Sequence, residues 1–234
     1  MKKCDLLYEG KAKRVFSTEN EDLVIQEFKD DATAFNGAKK DQIIGKGVIN
    51  NKISNILFKL LESKGIPTHF EKEIDDNNML IKKVEIVLLE VIIRNIAAGS
   101  FCKRYGTKEG KIFKEATFEL SYKKDELGDP LINEYHAIAL ELATIDEINI
   151  IRKYAFKINN ILKEYFDKRN VILVDFKLEF GRTKDGKIIL ADEISPDTCR
   201  FWDKETKEKL DKDRFRNDMG NIEEAYQEML KRLS

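Results

Sequence analysis

Within Ile172-Leu173-Val174-Asp175-Phe176-Lys177-Leu178-Glu179-Phe180-Gly181 the charged residues recur at every second position. After a short turn, Ile188-Ile189-Leu190-Ala191 leads into Asp192-Glu193. Side chains alternate faces along a strand, so this reads as a β-hairpin that buries Val174, Phe176, Leu178 and Phe180 and lines the other face with Asp175, Lys177 and Glu179. Asp185-Gly186 supplies the turn. Asp192 or Glu193 returns beside the first strand, which makes a compact acidic cluster with one ammonium inside it, chemistry that suits Mg²⁺ and phosphate. A solvent-facing charged strand shows the same alternation. Two features argue for a site. The run is apolar before Asp175, as in a sheet interior, and the second strand leads into Ser195-Pro196-Asp197-Thr198-Cys199-Arg200-Phe201-Trp202, a polar loop holding an arginine and the only tryptophan. Loops at strand ends often carry function.

Two other stretches hold groups suited to anions. Gly10-Lys11-Ala12-Lys13 lies between short strands expected at 6–9 and 14–16, with 23–28 as the next. Such a turn can lay backbone N–H groups over a polyphosphate while its lysines offset the charge; a basic hairpin tip in water fits the same residues. Val91-Ile92-Ile93-Arg94-Asn95-Ile96 runs into Ala97-Ala98-Gly99-Ser100, with Ser100 placed to cap a helix through Tyr105. An arginine near a helix N-terminus makes a phosphate site, and a structural arginine beside a plain cap makes the same pattern. Gly45-Lys46-Gly47 is neither a Walker loop nor a strand-leading G-x-G-x-x-G, so no nucleotide motif is read there.

The elements that must position these groups follow from periodicity. Ile49, Ile53, Ile56, Leu57, Leu60 and Leu61 recur at helical spacing and predict a core-facing helix ended by Gly65-Ile66-Pro67. Residues 30–37 read as a polar connector before it, and strands are expected near 69–73, 79–82 and 86–96. Lys123, Lys124, Asp125, Asp129 and Pro130 fall in an irregular stretch. Thr144 with Glu147 forms a capping box ahead of Ile148, Ile151, Ala155, Ile158, Leu162 and Tyr165, a long amphipathic helix. Asn221 with Glu224 opens the last helix, whose Ile222, Ala225, Tyr226, Met229, Leu230 and Leu233 face inward.

The 234 residues make one large domain or two small lobes, either long enough for a real core. Lys+Arg 42 against Asp+Glu 43 leaves a formal net charge of −1, so no overall basic field points to nucleic acid or a membrane. A small anionic substrate needs only a local patch. Cys4, Cys102 and Cys199 form no C-x-x-C pair, which suggests neither a disulfide framework nor a zinc site and points to a reducing cytosol. His69 and His136 are too few for a histidine-rich metal centre, and each reads as a surface or strand-end residue. The N-terminus lacks an apolar signal core and no apolar run is long enough to span a bilayer, so a cytoplasmic protein is expected.

Tyr8-Glu9-Gly10-Lys11-Ala12-Lys13, Asn50-Asn51-Lys52, Arg94-Asn95-Ile96-Ala97-Ala98-Gly99-Ser100, Val174-Asp175-Phe176-Lys177-Leu178-Glu179-Phe180-Gly181 and Asp192-Glu193-Ile194-Ser195-Pro196-Asp197 through Arg200-Phe201-Trp202-Asp203 follow one another along the chain. In these motifs the sequence resembles the SAICAR synthetases (phosphoribosylaminoimidazole-succinocarboxamide synthases) over nearly its whole length. The resemblance implies an α+β fold of two lobes, a kinase-like, β-rich small lobe over residues 1–82 and a larger α+β lobe over 83–234, with the nucleotide in the cleft. It implies a ligase of purine biosynthesis that uses ATP to join L-aspartate to the carboxylated aminoimidazole ribotide, giving SAICAR, ADP and phosphate. Carried over by position, Gly10, Lys11, Ala12, Lys13 and Val15 would cover the ATP phosphates, Lys82 would lie at the hinge beside adenine, and Lys123 would lie near the reacting groups. Glu179 and Asp192 would hold Mg²⁺ against ATP. Arg94, Ser100, Asp129, Asp175, Lys177 and Arg200 would contact the ribotide, with Lys177, Asp175 and Lys123 as catalytic candidates. A homodimer is implied by analogy. Ile96 stands where some relatives carry a basic residue. The implied chemistry is coherent, since making an amide from a carboxylate requires a leaving group and an acyl phosphate formed from ATP supplies one. A small-molecule kinase of related fold would use the same acidic hairpin, and a requirement for aspartate separates the two.

Overall fold

The computed structural model describes residues 1–34 and 39–234. Three antiparallel strands open the chain, β1 (Leu6–Glu9), β2 (Lys13–Ser17) and β3 (Leu23–Phe28), and the turn from β1 to β2 is closed by Gly10 N–H donating to the Lys13 carbonyl at 2.8 Å. Next comes a separate antiparallel pair, β4 (Asp31–Ala34) and β5 (Lys39–Gln42). The connector expected over 30–37 is therefore strand over Asp31–Ala34, because Ala32 and Ala34 alternate inward against Ile43 and Phe215; positions 35–37 lie outside the described residues. Helix α1 (Lys46–Ser63) follows, then β6 (Phe70–Glu73) and β7 (Asn78–Lys82), which complete a five-stranded sheet in the order β1-β2-β3-β7-β6. The apolar stripe of α1, with Ile53, Leu57, Phe58 and Leu61 fully buried, packs toward this sheet.

The remainder builds a seven-stranded sheet from β8 (Glu85–Ile86), β9 (Leu89–Ile96), β10 (Ile112–Tyr122), β11 (Leu131–Ile132), β12 (Val171–Arg182), β13 (Ile188–Ala191) and β14 (Cys199–Asp203). Helices α2 (Ser100–Tyr105), α3 (Glu134–Ala139), α4 (Ile145–Asp167), α5 (Asp213–Arg216) and α6 (Ile222–Leu233) connect and cover it. The hub is β12, flanked by β9 and β14 over its first half and by β8 and β13 over its second. Helix α4 opens on the expected capping box: Thr144 Oγ1 accepts from Glu147 N at 3.2 Å and Glu147 Oε2 accepts from Thr144 N at 2.8 Å. It lays Ile148, Ile151, Ile158, Leu162 and Phe166 into the core, where each large side chain contributes about 1.5–3 kcal/mol by leaving water. Phe166, not Tyr165, takes the last core position. One continuous apolar cluster runs from α1 through β9 and β12 to α4.

Four local expectations are corrected. Val174 does not share the face of Phe176, because the pairing of β12 with β14 shifts register between Leu173 and Asp175; Val174 packs instead with Ile96, Ala98 and Trp202. Arg200 and Trp202 lie on β14, where pairing with β12 satisfies their backbone, so the stretch from Cys199 onward is strand and not loop. His69 does lie at a strand end, immediately before β6, but is buried and not at the surface, its ring edge-on to Phe58 at 5.2 Å, while His136 stays at the surface. Asn221 precedes α6 in the left-handed conformation (φ 49°) and makes no side-chain cap, although the helix begins and buries its stripe as expected.

Candidate active site

The register of β12 assembles a row of charges across the sheet. Asp175 stands opposite Arg94 on β9 and opposite Arg200 on β14. The bulge at Val174 produces that second pairing, turning Asp175 to the cleft side while Leu173 and Phe176 both keep their places in the core. Arg94 Nη1 donates to Asp175 Oδ2 at 2.7 Å, and Arg200 Nη1 donates to both oxygens of the same carboxylate at 3.0 Å. Ser100 Oγ accepts from Arg94 Nη2 at 3.3 Å. Ser100 is thus the first residue of α2 and not its cap; that position belongs to Gly99, whose φ of 54° and ψ of −127° suit glycine.

Further along β12 a knot of ammonium and carboxylate groups forms. Glu179 Oε1 accepts from Lys123 Nζ at 3.0 Å and from Lys177 Nζ, which also lies 3.4 Å from Glu90 and from Asp192. Lys13, at the end of the β1–β2 turn, ion-pairs with Asp192 and sits 2.9 Å from Glu193. Asp192 leaves β13 with φ 64°, an uncommon conformation for a non-glycine residue and of the kind that collects at sites. Burial opposes the charge on Lys177, but Glu179 and Asp192 outweigh it and hold its pKa well above the usual lysine value. Lys13 rises for the same reason, burial being overcome by Asp192 and Glu193. Asp192 is pushed up by burial and pulled further down by Lys13 and Lys177, for a net fall below the carboxylate range. These lysines are fixed cations, not bases.

A cavity of about 350 Å³ opens beside these groups, lined by Lys11, Arg94, Ser100, Asp175, Lys177 and Arg200 together with Lys212 and Arg216. Gly10, Ala12, Lys13, Val15, Lys82, Lys123, Asp129, Glu179 and Asp192 lie outside its lining. Of these, Lys13, Lys123, Glu179 and Asp192 belong to the adjoining knot. Lys82 turns to the Thr68 carbonyl at 3.1 Å and to Glu71, and Val15 packs against the core. Asp129 folds back on its own loop, accepting from Lys124 N at 2.9 Å. Lys11 reaches from its turn to Asp125 at 2.7 Å, joining the first sheet to the 123–130 loop. Sequence reasoning passed over Glu90, although its even spacing from Arg94 puts both on one face of the expected strand. Nothing local marks Lys212 or Arg216.

The donor set suits Mg²⁺. Glu179 and Asp192 share the ammonium of Lys177, and two carboxylates are what a Mg²⁺ completed by substrate phosphates and water takes from a protein. Among the described residues no group of three or more acidic, histidine or cysteine side chains could hold a metal by itself.

The SAICAR synthetase family model matches residues 6–233. The chain belongs to the SAICAR synthetase family. A phosphoribosylaminoimidazole-succinocarboxamide synthase from Caldanaerobacter subterraneus subsp. tengcongensis is 65% identical over 233 residues, 100% of this chain and 99% of the relative. The crystal structure of the synthase from Ehrlichia chaffeensis superposes with a TM-score of 0.96 at 47% identity, covering 98% of both chains. A SAICAR synthetase solved in complex with ADP gives 0.94 at 53% identity over 97% of both. The α+β architecture is that of the SAICAR synthetases. No helix among the described residues is long and apolar enough to cross a membrane.

Proposed function

We propose how this member of the SAICAR synthetase family carries out its reaction, and with which residues. The activity is ATP-dependent ligation in purine biosynthesis, in which L-aspartate is joined to the carboxylate of the ribotide to give SAICAR, ADP and phosphate. A small-molecule kinase is not favoured by that membership. The relative solved with ADP supports ATP as co-substrate here. The residue assignment rests on one observation: Lys177 stands between the Asp175–Arg94–Arg200 row and the Glu179–Asp192 pair, bonded to the pair and lining the cavity of the row.

We assign the row and Ser100 to the ribotide phosphate and ribose, and the knot to ATP. The cavity wall carries six cations, Lys11, Arg94, Lys177, Arg200, Lys212 and Arg216, against Glu90, Asp175 and Asp197. That excess suits a substrate bearing both a phosphate and a carboxylate. Glu179 and Asp192 would hold Mg²⁺, which neutralises charge on the ATP phosphates. Lys177, always protonated, draws the ribotide carboxylate toward the γ-phosphoryl group and offsets the charge of their approach. The carboxylate oxygen attacks phosphorus, the bond to ADP breaks, and an acyl phosphate results. The aspartate amine then attacks its carbonyl carbon, the bond from that carbon to the phosphate oxygen breaks, and the departing phosphate carries off the proton the amine loses. Asp175, already accepting from two guanidiniums, serves to orient them and a ribose hydroxyl rather than to take a proton. Lys13 and Lys123 cover the phosphates from the turn and the 123–130 loop. A lobe division at 82/83 is supported by the origin of the knot, Lys13 coming from the first sheet and Lys177 and Glu179 from the second, and a homodimer finds support in the exposed Leu131, Tyr135, Ile138 and Leu140 around β11 and α3.

Arg94→Ala and Arg200→Ala test the assignment. Each removes one charge-assisted contact of about 1.5–3 kcal/mol, so ribotide kcat/KM should fall roughly tenfold to a hundredfold with the KM for ATP nearly unchanged. Equal losses for both substrates would mean that these arginines hold the cleft together instead of gripping the ribotide.

A further inference from the structure

Each arginine of the row is held from behind by a second carboxylate. Glu119 on β10 accepts from Arg94 Nε at 2.9 Å and Nη2 at 3.3 Å, and Asp213 on α5 accepts from Arg200 Nε at 2.8 Å. Asp213 is buried and Glu119 largely so, with side chains 4% and 9% exposed, and neither lines the cavity. A guanidinium can swing about its stem when one edge alone is bonded, and Asp175 by itself would be one anion shared between two such groups. Clamping Nε as well as Nη1 fixes each planar fork in two directions. What remains for a ligand is a set of donors already aimed. Arg200 Nη2 has no acceptor among the described residues and lies against Gly99, where a Cβ would meet it. Ser100 Oγ follows in sequence. Two outer cations balance the outer acids, Arg104 at 2.7 Å from Glu119 and Arg216 at 2.7 Å from Asp213, so the charges alternate from α2 across four strands to α5.

We propose that Glu119 and Asp213 are positioning residues for ribotide capture, acting through Arg94 and Arg200 without touching the substrate. The inference rests on the assignment of these arginines to the ribotide. Preorganising them lowers the ordering cost of binding, so the acids contribute to ribotide affinity and little to the chemical step.

Steady-state curves for ribotide and for ATP, with thermal melts, on Glu119→Gln, Glu119→Asp, Asp213→Asn, Arg94→Ala and the double variant Glu119→Gln/Arg94→Ala provide the test. Removing either acid's charge should raise ribotide KM by about tenfold, the low end for loss of a partner that orients a ligand-holding group. The KM for ATP and kcat should stay within about twofold, and Glu119→Asp, which keeps the charge, should recover part of the loss. Once Arg94 is gone, Glu119→Gln should add nothing to ribotide KM, because a group acting only through Arg94 has nothing left to hold. If Arg94→Ala raises ribotide KM while Glu119→Gln and Asp213→Asn do not, the positioning role is wrong and the site assignment stands. Additive losses in the double variant, or losses shared equally by ribotide, ATP and Tm, would also overturn it in favour of a purely structural role. An unchanged ribotide KM in Arg94→Ala would remove the assignment and the proposal together. Should Glu119→Gln fail to fold, Asp213→Asn, on a different element, decides alone.

Discussion

Glu179 gathers two ammonium groups on one oxygen while nearly buried, and Asp192 is drawn well below the carboxylate range by the lysines around it. Glutamine or asparagine keeps the volume of each and deletes the charge. Glu179→Gln and Asp192→Asn are therefore expected to melt as folded proteins and to lose about a hundredfold or more in kcat, the scale of removing one preorganised electrostatic group. Near-normal turnover with unchanged Mg²⁺ dependence would reduce the hairpin to a charged surface. His69 makes a separate prediction at this scale. Burial holds its pKa down to about 3, from the ordinary 6.5, so it is neutral in the fold. Between those values the unfolded chain binds a proton that the folded chain refuses. Stability is then whole above pH 6.5 and falls by about 1.4 kcal/mol per unit as pH drops toward 3. His69→Gln should flatten that part of the curve, read from urea midpoints between about pH 7 and about pH 4.5. Parallel curves for the two proteins would show that His69 charges freely in the fold.

Among the elements, the segment from β9 into α2 sets Arg94, Ser100 and the approach of Arg200 together. Gly99 holds that turn with positive φ and with no room for a side chain beside Arg200. Gly99→Ala should cost about 1–3 kcal/mol of stability through backbone strain and should raise ribotide KM more than the KM for ATP, because the new methyl group displaces the guanidinium. A stability loss with both KM values unmoved would mean that Arg200 need not stay where it is. The hairpin of β12 and β13, the stripe of α1 and the capped α4 were legible because apolar periodicity and a Thr-x-x-Glu box are local signals. The bulge at Val174 was not, since one extra residue in a strand leaves the alternation on either side intact and is fixed only by what β14 pairs with. Strand β10 went unread because it mixes Lys114, Glu115 and Glu119 with apolar residues, and its burial comes from β9. Likewise Lys46, between two glycines, carries no local signal of burial. It is fully buried because Asp197, which also accepts from Tyr226 at 2.6 Å, meets it at 2.9 Å from across the molecule. Glu119 and Asp213 escaped because each meets its arginine on another element, 25 and 13 residues away, beyond the reach of any local spacing pattern.

At the scale of the molecule, a net charge of −1 coexists with a cavity wall of six cations and three carboxylates, so the field that attracts anions is local to the cleft. The same loop that ends the acidic hairpin reaches α1 and α6 through Asp197, tying the helix beside the first sheet to the floor of the second. The Gly10–Lys13 turn is tied to the acidic hairpin directly, by Lys13 against Asp192 and Glu193. Ligation of this kind couples ATP cleavage to amide formation. ADP release, followed with each component omitted in turn, tests it most directly. Steady release is predicted only when ATP, Mg²⁺, the carboxylated ribotide and L-aspartate are all present, with SAICAR formed in equal amount; rapid release with a hydroxyl acceptor and no amine would contradict it.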